Sequence, residues 1–275
     1  MHRAFITMLL FIAILFVGLC GALFVFQRSL IYFPQPMSNQ AGTTLVTLQA
    51  GTRTVAVSTR PASGPDALIY FGGNAEDVSL NMPDFSVAFP GHAIYLLHYP
   101  GFGGSSGRPS QQAILADALA LFDRVHAQHE NVVVVGRSLG SAVAIYVASQ
   151  RPVARLVLVT PFDSLVNVAG HHYPWLPVRW LIRDRFESWR YAPQVTAPTR
   201  IIVAEQDEVI PRASTDQLRK SFKRWNRVVR SRSRRGPQHN IQQCELLVSS
   251  EERVGFGNPG LSQASLPASL WVRDR

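Results

Sequence analysis

The sequence predicts an α/β domain, built on a mostly parallel β-sheet with helices on both faces and preceded by one transmembrane helix. Short apolar runs alternate with stretches of helical period, which is typical of buried parallel strands joined by crossover helices. The 275-residue chain also opens with a long uncharged segment. A hydrophobic fraction of 47% beside a charged fraction of 16% indicates apolar sequence outside the core. The length suits one domain plus this segment.

The uncharged segment runs from Ala4 to Phe26, and its 23 residues are enough to cross a bilayer as a helix. A cleaved signal peptide is the alternative, but the apolar run is longer than a usual signal and no A-x-A-like site follows it. We therefore predict a membrane anchor over residues 1–26. Arg3 and Arg28 flank the two ends almost symmetrically, and we expect the N-terminus inside and the following domain outside the cytoplasm.

The main domain is predicted over residues 27–240 and an irregular tail over residues 241–275. An apolar segment with helical spacing predicts a helix from Gln111 to Gln128. The stretch 164–198, rich in aromatic residues and prolines, predicts a short cap insertion over the carboxyl edge of the sheet. The predicted strands are an opening hairpin and five buried strands: 44–48, 53–57, 67–71, 93–99, 132–135, 155–160 and 200–204.

The net charge of +9 comes from one local run. Residues 219–235 contain nine basic and no acidic side chains, so the other residues sum to zero. A solvated helix end or a contact with anionic lipid explains such a run. The run has few aromatic residues and belongs to no recognisable nucleic-acid-binding fold, so we expect no nucleic-acid partner.

A serine stands at a tight turn between four valines and a small-residue helix. Gly136, Ser138 and Gly140 match the pattern G-x-S-x-G, which is a weak signal by itself. The context strengthens it, because a strained strand-to-helix turn lifts the serine hydroxyl clear of the backbone and only glycine leaves room for the neighbouring elements. A structural serine between an ordinary strand and helix is the alternative. We predict that Ser138 is a nucleophile.

A nucleophilic serine needs hydrogen-bond donors for the oxyanion that forms on its substrate. The glycine-containing stretch YFGGNAED follows a predicted strand two crossovers before the serine. We predict an oxyanion hole formed by the backbone amide of Leu139 with that of Asn74 or Ala75. An ordinary Gly-Gly turn is the alternative interpretation of this stretch.

The acid of a Ser-Asp-His triad follows a later strand in this architecture. Asp207, in the stretch RIIVAEQDEVIP, lies just beyond such a strand and is our predicted acid. Glu205, Glu208 and Asp163 are competitors, each of which a helix cap or solvated loop would also explain. Of the eight histidines only His239 follows Asp207, so a triad in the usual chain order requires His239 as its base.

Seven stretches in order carry a resemblance: QRSLIYFPQP, YFGGNAED, YPGFGGSSG, GRSLG, TPFDS, EQDEVIP and HN. Together with the N-terminal membrane helix, they resemble the α/β-hydrolase superfamily, and most of all its membrane-anchored serine hydrolases, which include protein depalmitoylases and lipid esterases. The likeness covers roughly residues 27–229. It implies an α/β-hydrolase fold, with Ser138 as nucleophile, Asp207 as acid and a histidine followed by asparagine as base. One departure is Gly72, where the family usually has a histidine.

The resemblance implies hydrolysis of an ester or thioester through an acyl-enzyme, with no cofactor and no metal. The anchor and the aromatic cap suit a small-molecule or lipid substrate with an apolar acyl group. The alternative is a catalytically inactive protein of the same fold that acts as a binding module or is a frame-shifted product.

The tail departs further from the family, whose members reach the histidine through a turn of the type V-P-G-A-G-H-N. Codons exist for Arg232 to Gln238 (CGT TCC CGG CGC GGG CCA CAA, then C) that spell Val-Pro-Gly-Ala-Gly-His-Asn when read one base later. Our hypothesis is a change of reading frame between about Trp225 and Ser231, which the nucleotide sequence decides. Such a change would replace the catalytic histidine by an accidental neighbour, His239, and would remove the last strand and helix.

Overall fold

A computed structural model of the protein describes residues 2–38, 42–204, 207–223 and 227–231. Its eight strands are β1 (Thr44–Ala50), β2 (Arg53–Arg60), β3 (Asp66–Phe71), β4 (Ala93–Leu97), β5 (Asn131–Arg137), β6 (Arg155–Val159), β7 (Thr199–Ala204) and β8 (Arg227–Ser231). The α-helices are α1 (His2–Ile31), α2 (Met82–Ala88), α3 (Gln111–His126), α4 (Leu139–Gln150), α5 (Leu165–His172), α6 (Val178–Leu181), α7 (Ser188–Tyr191) and α8 (Arg212–Ser221).

The strands form one sheet in the order β1-β2-β4-β3-β5-β6-β7-β8. The β1–β2 hairpin and the β2–β4 pair are antiparallel, and every later pair is parallel. The predicted hairpin, the five predicted buried strands and the predicted helix at α3 are therefore confirmed. Crossover helices bring the carboxyl ends of the parallel strands to one edge, where ligands bind in open α/β sheets.

Side chains of the central strands alternate between two apolar clusters. Val132 and Val134 of β5 pack on the side of α3 and α4, whereas Val133 and Val135 pack on the side of α2. This two-sided burial explains why the strand is an unbroken valine run and not an alternating pattern. It also fixes β5 in the middle of the sheet, so the turn that follows it is held on both sides.

Helix α1 is long and apolar enough to cross a membrane by length and composition. Most of its side chains are exposed, and Gln27 near its carboxyl end is buried. The helix therefore meets the rest of the protein mainly at its last turns.

The segment predicted as a cap contains α5, α6 and α7 between β6 and β7. Strand β8 pairs in parallel with β7. We expected a frame change to remove the last strand of the sheet, and because β8 is present, that expectation is wrong. The predicted tail 241–275, the base His239 and the proposed alternative reading from Arg232 onward lie outside the described residues.

Candidate active site

Ser138 occupies a strained turn between β5 and α4. Its φ of 50° and ψ of −116° are unusual for a residue with a side chain. The turn is held because the Ser138 amide donates to the Val159 carbonyl at 2.9 Å. A Cβ on Gly136 would lie 2.3 Å from the Gly140 carbonyl oxygen, and one on Gly140 would lie 1.9 Å from the Phe71 carbonyl oxygen. Glycine is therefore required on both sides of this serine, as the motif predicts.

Glu76 connects the glycine-containing loop to the serine turn. Its Oε2 accepts from the Gly73 amide at 2.7 Å and pairs with Arg137 Nη1 at 3.3 Å. Its Oε1 accepts from the Tyr70 hydroxyl at 2.7 Å and from Asn81 Nδ2 at 2.6 Å. The carboxylate and the guanidinium are both largely buried, at 12% and 16% side-chain exposure, so the pair is shielded from solvent.

The same network explains the departure at Gly72. A Cβ there would lie 2.5 Å from Val78 Cγ1 and 3.2 Å from Glu76 Oε2. The space in which the family usually has a histidine side chain is therefore filled by Val78 and Glu76. The Gly72 carbonyl accepts from the buried Tyr99 hydroxyl at 2.8 Å, which holds the loop from its other side. Burial raises the pKa of Tyr99, so this hydroxyl stays a donor.

Asn74, a predicted oxyanion-hole residue, is held by the end of α1. Its side chain donates to the Ile31 carbonyl at 2.8 Å, and its own carbonyl accepts from the Phe33 amide at 2.9 Å. The adjacent Gly73 approaches the serine, since a Cβ on it would be 4.0 Å from Ser138 Cβ. The loop that would supply an oxyanion donor is thus positioned by the apolar N-terminal helix.

Two cavities meet at Ser138. One, of about 570 Å³, is predominantly apolar, and it is bounded by α1 and the cap. The other, of about 560 Å³, has several charged side chains in a mixed wall and is called the polar cavity below; it is bounded by the glycine-containing loop and the loop after β7. Ser138 and Asn74 line both cavities. The apolar wall includes Leu19, Leu23, Leu30, Val168, Leu176 and Leu181. A substrate at this junction would have one apolar end and one polar end.

Asp207 lines the polar cavity together with Ser138. Its Oδ1 accepts from the amides of Val209 and Ile210, at 3.0 and 2.8 Å, so the carboxylate is oriented by its own loop. The competitor Asp163 is buried at 1% exposure, where it accepts hydrogen bonds from Ser214 and Asn167.

Through these bonds to Asn167 and Ser214, Asp163 connects the end of β6 to α5 and α8. Of the other two competitors, Glu208 is exposed and Glu205 lies outside the described residues. Of the candidate acids in the described part of the chain, Asp207 is the one that lines a cavity of Ser138, whose wall also includes Glu76, Asp77 and Asp84.

Among the described residues, His172 is the histidine that lines a cavity of Ser138. A ring nitrogen of His172 lies 2.9 Å from the Val209 carbonyl oxygen, so this cap residue contacts the Asp207 loop. His98 is buried away from both cavities, and burial lowers its pKa to about 4. In the part of the chain that the structure describes, no cluster of three metal-ligating side chains occurs.

Sequence reasoning predicted Ser138, Leu139, Asn74, Ala75 and Asp207, and the structure brings all five to one end of the sheet: Leu139 lines the apolar cavity and Ala75 the polar one. It missed the loop-bridging pair of Glu76 and Arg137. Glu76 lies in the stretch YFGGNAED and Arg137 in GRSLG. These two loops were expected to meet, and their opposite charges could have indicated the ion pair.

A strand-turn-helix serine at the carboxyl edge of a parallel sheet defines the class of α/β hydrolases. The chain matches the family described as alpha/beta hydrolase fold over residues 66–191. An uncharacterised protein of Mycobacterium tuberculosis is 37% identical over 212 residues, which cover 70% of this chain and 74% of that protein. This chain therefore belongs to the α/β-hydrolase superfamily.

Other relatives agree with this assignment. The human alpha/beta hydrolase domain-containing protein 17B is 29% identical over 194 residues, which cover 68% of this chain and 64% of that protein. An esterase of Pyrococcus furiosus has a TM-score of 0.64 at 13% identity, over 80% of this chain and 95% of the esterase. Mouse alpha/beta hydrolase domain-containing protein 10 has a TM-score of 0.58 at 18% identity, over 75% of this chain and 97% of that one. These two structures show the shared fold.

Proposed function

We propose that the protein is a membrane-anchored serine hydrolase that cleaves an ester or thioester. Ser138 attacks the acyl carbonyl, His239 takes its proton, and Asp207 orients the imidazole. The amides of Leu139 and of Asn74 or Ala75 hold the oxyanion. Expulsion of the alcohol or thiol, protonated by the imidazolium, leaves an acyl-enzyme that water hydrolyses to the carboxylic acid.

The strained conformation of Ser138 where two cavities meet carries this proposal. A buried structural serine would gain nothing from a φ of 50°, whereas a nucleophile gains exposure at the head of α4. The apolar cavity suits an acyl chain, and the polar cavity with Asp207 suits the leaving group and water. Helix α1 supports anchoring by its length and composition, and we propose that the domain lies outside the cytoplasm.

Labelling with a fluorophosphonate probe tests the nucleophile. The full-length protein in detergent should be labelled, and Ser138→Ala should abolish labelling because the probe phosphonylates the activated serine. Ser149→Ala is a matched control near the other end of α4, where the hydroxyl donates to the Tyr146 carbonyl and accepts from Gln150 Nε2, and it should label normally. Absence of labelling in folded wild-type protein would support the inactive alternative.

Histidine variants test the base. If His239 is the base, His239→Gln should lower the labelling rate by at least about a thousandfold, as triad losses do. His172→Gln should retain most of it, because this ring contacts the acid loop through a backbone carbonyl. If His172→Gln lowered the labelling rate more than His239→Gln, His172 of the cap would be the base and His239 would not.

A further inference from the structure

We propose that residues 171–183 of the cap form a second membrane-contact surface, seated in the headgroup region of the leaflet where α1 emerges. This cap surface has the sequence HHYPWLPVRWLIR, with three aromatic residues, two arginines and no acidic residue. The inference rests on the proposed anchoring by α1. It adds a partner, the anionic lipid surface, that the anchor alone does not require.

The contacts of α1 set the depth of the cap surface. Gln27 Nε2 donates to the Leu181 carbonyl at 3.0 Å, and its Oε1 accepts from the Arg183 amide at 2.7 Å. The Arg183 guanidinium lies 5.0 Å from the centroid of the Phe24 ring. Phe24 belongs to the last turn of the uncharged run, where a spanning helix reaches the headgroups. The cap surface is therefore fixed to the helix at interfacial level.

The exposed side chains of the cap surface suit that level. Tyr173, Trp175 and Trp180 are 53%, 60% and 85% exposed, which is unusual for large aromatic side chains facing water. Such side chains are enriched at membrane interfaces, where the ring is buried and the polar edge stays hydrated. Arg179 and Trp180 line an open groove of about 790 Å³, in which the guanidinium can meet a lipid phosphate.

This placement also opens the apolar cavity towards lipid. Its wall is shared by Leu19 and Leu23 of α1 and by Trp175 and Leu176 of the cap surface. With both walls in the membrane, an acyl chain reaches Ser138 without crossing water. Because the chain passes from one apolar environment to another, its entry gains little from the hydrophobic effect, but it also avoids the cost of exposing the chain to water.

Fluorescence quenching in nanodiscs tests the membrane contact without using activity. The full-length protein, with Cys20→Ala and Cys244→Ala, carries one bimane-labelled cysteine, at Trp180→Cys or at Val87→Cys. Val87 is the matched control, since it is 75% exposed on α2, which packs on β2 and β4. The nanodiscs contain phosphatidylglycerol, phosphatidylcholine and a brominated lipid.

We expect quenching at position 180 at least twice that at position 87. Equal quenching at the two positions, in protein that co-elutes with the nanodiscs, would overturn the cap contact and leave the anchor in place. Failure to co-elute would overturn the anchor and the cap contact together. Because the readout needs no catalysis, either result is independent of the Ser138 labelling experiment.

Discussion

At the scale of single residues, Glu76 joins the two loops that flank the nucleophile. Its carboxylate accepts from the Gly73 amide and pairs with Arg137, the neighbour of Ser138. Because the pair is mostly buried, removing the carboxylate leaves a guanidinium without its charge partner and a backbone amide without its acceptor. Glu76 is thus a positioning residue for the oxyanion loop.

We expect Glu76→Ala to slow fluorophosphonate labelling about tenfold or more, a barrier increase of about 1.4 kcal/mol per factor of ten. Glu76→Gln should lie between the wild type and Glu76→Ala, since its amide oxygen still accepts from Gly73. Labelling rates and thermal unfolding of all three proteins check this. If both variants lost thermal stability but were labelled at the wild-type rate, Glu76 would support the fold without positioning the oxyanion loop.

His98 makes stability depend on pH. Its pKa is lowered from 6.5 to about 4 by burial, against a smaller opposing effect of Asp77. Between those values the unfolded chain binds a proton that the folded chain does not, so the free energy of unfolding falls as the pH drops from 6.5 to 4. The full difference corresponds to about 3 kcal/mol.

The variant His98→Gln keeps a partner for Ser58, whose Oγ lies 2.8 Å from His98 Nε2, but cannot titrate. Its thermal stability in detergent should change less than that of the wild type between pH 7 and pH 4.5. Parallel pH profiles for the two proteins would contradict the assignment.

At the scale of secondary-structure elements, the packing of α4 against β3 depends on glycine. A Cβ on Gly140 would lie 1.9 Å from the Phe71 carbonyl oxygen, and backbone cannot move aside as a side chain can. We expect Gly140→Ala to lower the free energy of unfolding by about 1–3 kcal/mol or more, despite the better helix propensity of alanine.

Gly91→Ala is the matched control, because a Cβ there meets nothing within 4 Å. Its unfolding transition should coincide with that of the wild type within about 0.5 kcal/mol. A Gly140→Ala protein as stable as Gly91→Ala would contradict the close approach of helix and strand.

The sequence predicted the strands and helices whose apolar residues form a long run or a regular spacing. It missed β8, whose apolar residues form neither. The valine run of β5 and the three- and four-residue spacing of α3 are local signals, and both elements are confirmed. Strand β8 was missed because arginines flank its two valines at 228 and 229, so its apolar run is too short. It forms because β7 offers a parallel partner, which no local pattern records.

At the scale of the whole molecule, Asp184 joins the N-terminal helix to the cap through its bonds to Arg28 and Tyr32, which we call the clasp. Its carboxylate is 4% exposed and accepts from Arg28 Nε at 3.0 Å and from the Tyr32 hydroxyl at 3.0 Å. Burial, reinforced by the charge of Asp184, raises the pKa of Tyr32, which keeps the phenol protonated as a donor. The clasp lies beside Ile31, the residue that holds Asn74.

Replacement of Asp184 by alanine should destabilise the protein by about 1–3 kcal/mol, because it leaves the buried Tyr32 hydroxyl without an acceptor. Hydrogen exchange in the cap peptide 173–183 should accelerate in the same variant. Asp123→Ala is the control, since it removes only a half-exposed pair with Arg151, and it should cost less than about 1 kcal/mol. If Asp184→Ala and Asp123→Ala lowered the free energy of unfolding equally, the clasp would stabilise the protein no more than an exposed ion pair.

The sequence by itself determined the order of the first seven strands, the helix α3, the apolar N-terminal segment and the glycine-flanked serine, since each leaves a local pattern of spacing or composition. Only the tertiary structure decided how Ser138 is surrounded: by Glu76 bridging two loops, and by Asn74 held at the end of the N-terminal helix. The clasp joins positions 156 apart in the chain. A hydrogen bond between such distant residues leaves no period in the sequence, because the crossovers of the sheet, and not the intervening residues, bring its partners together.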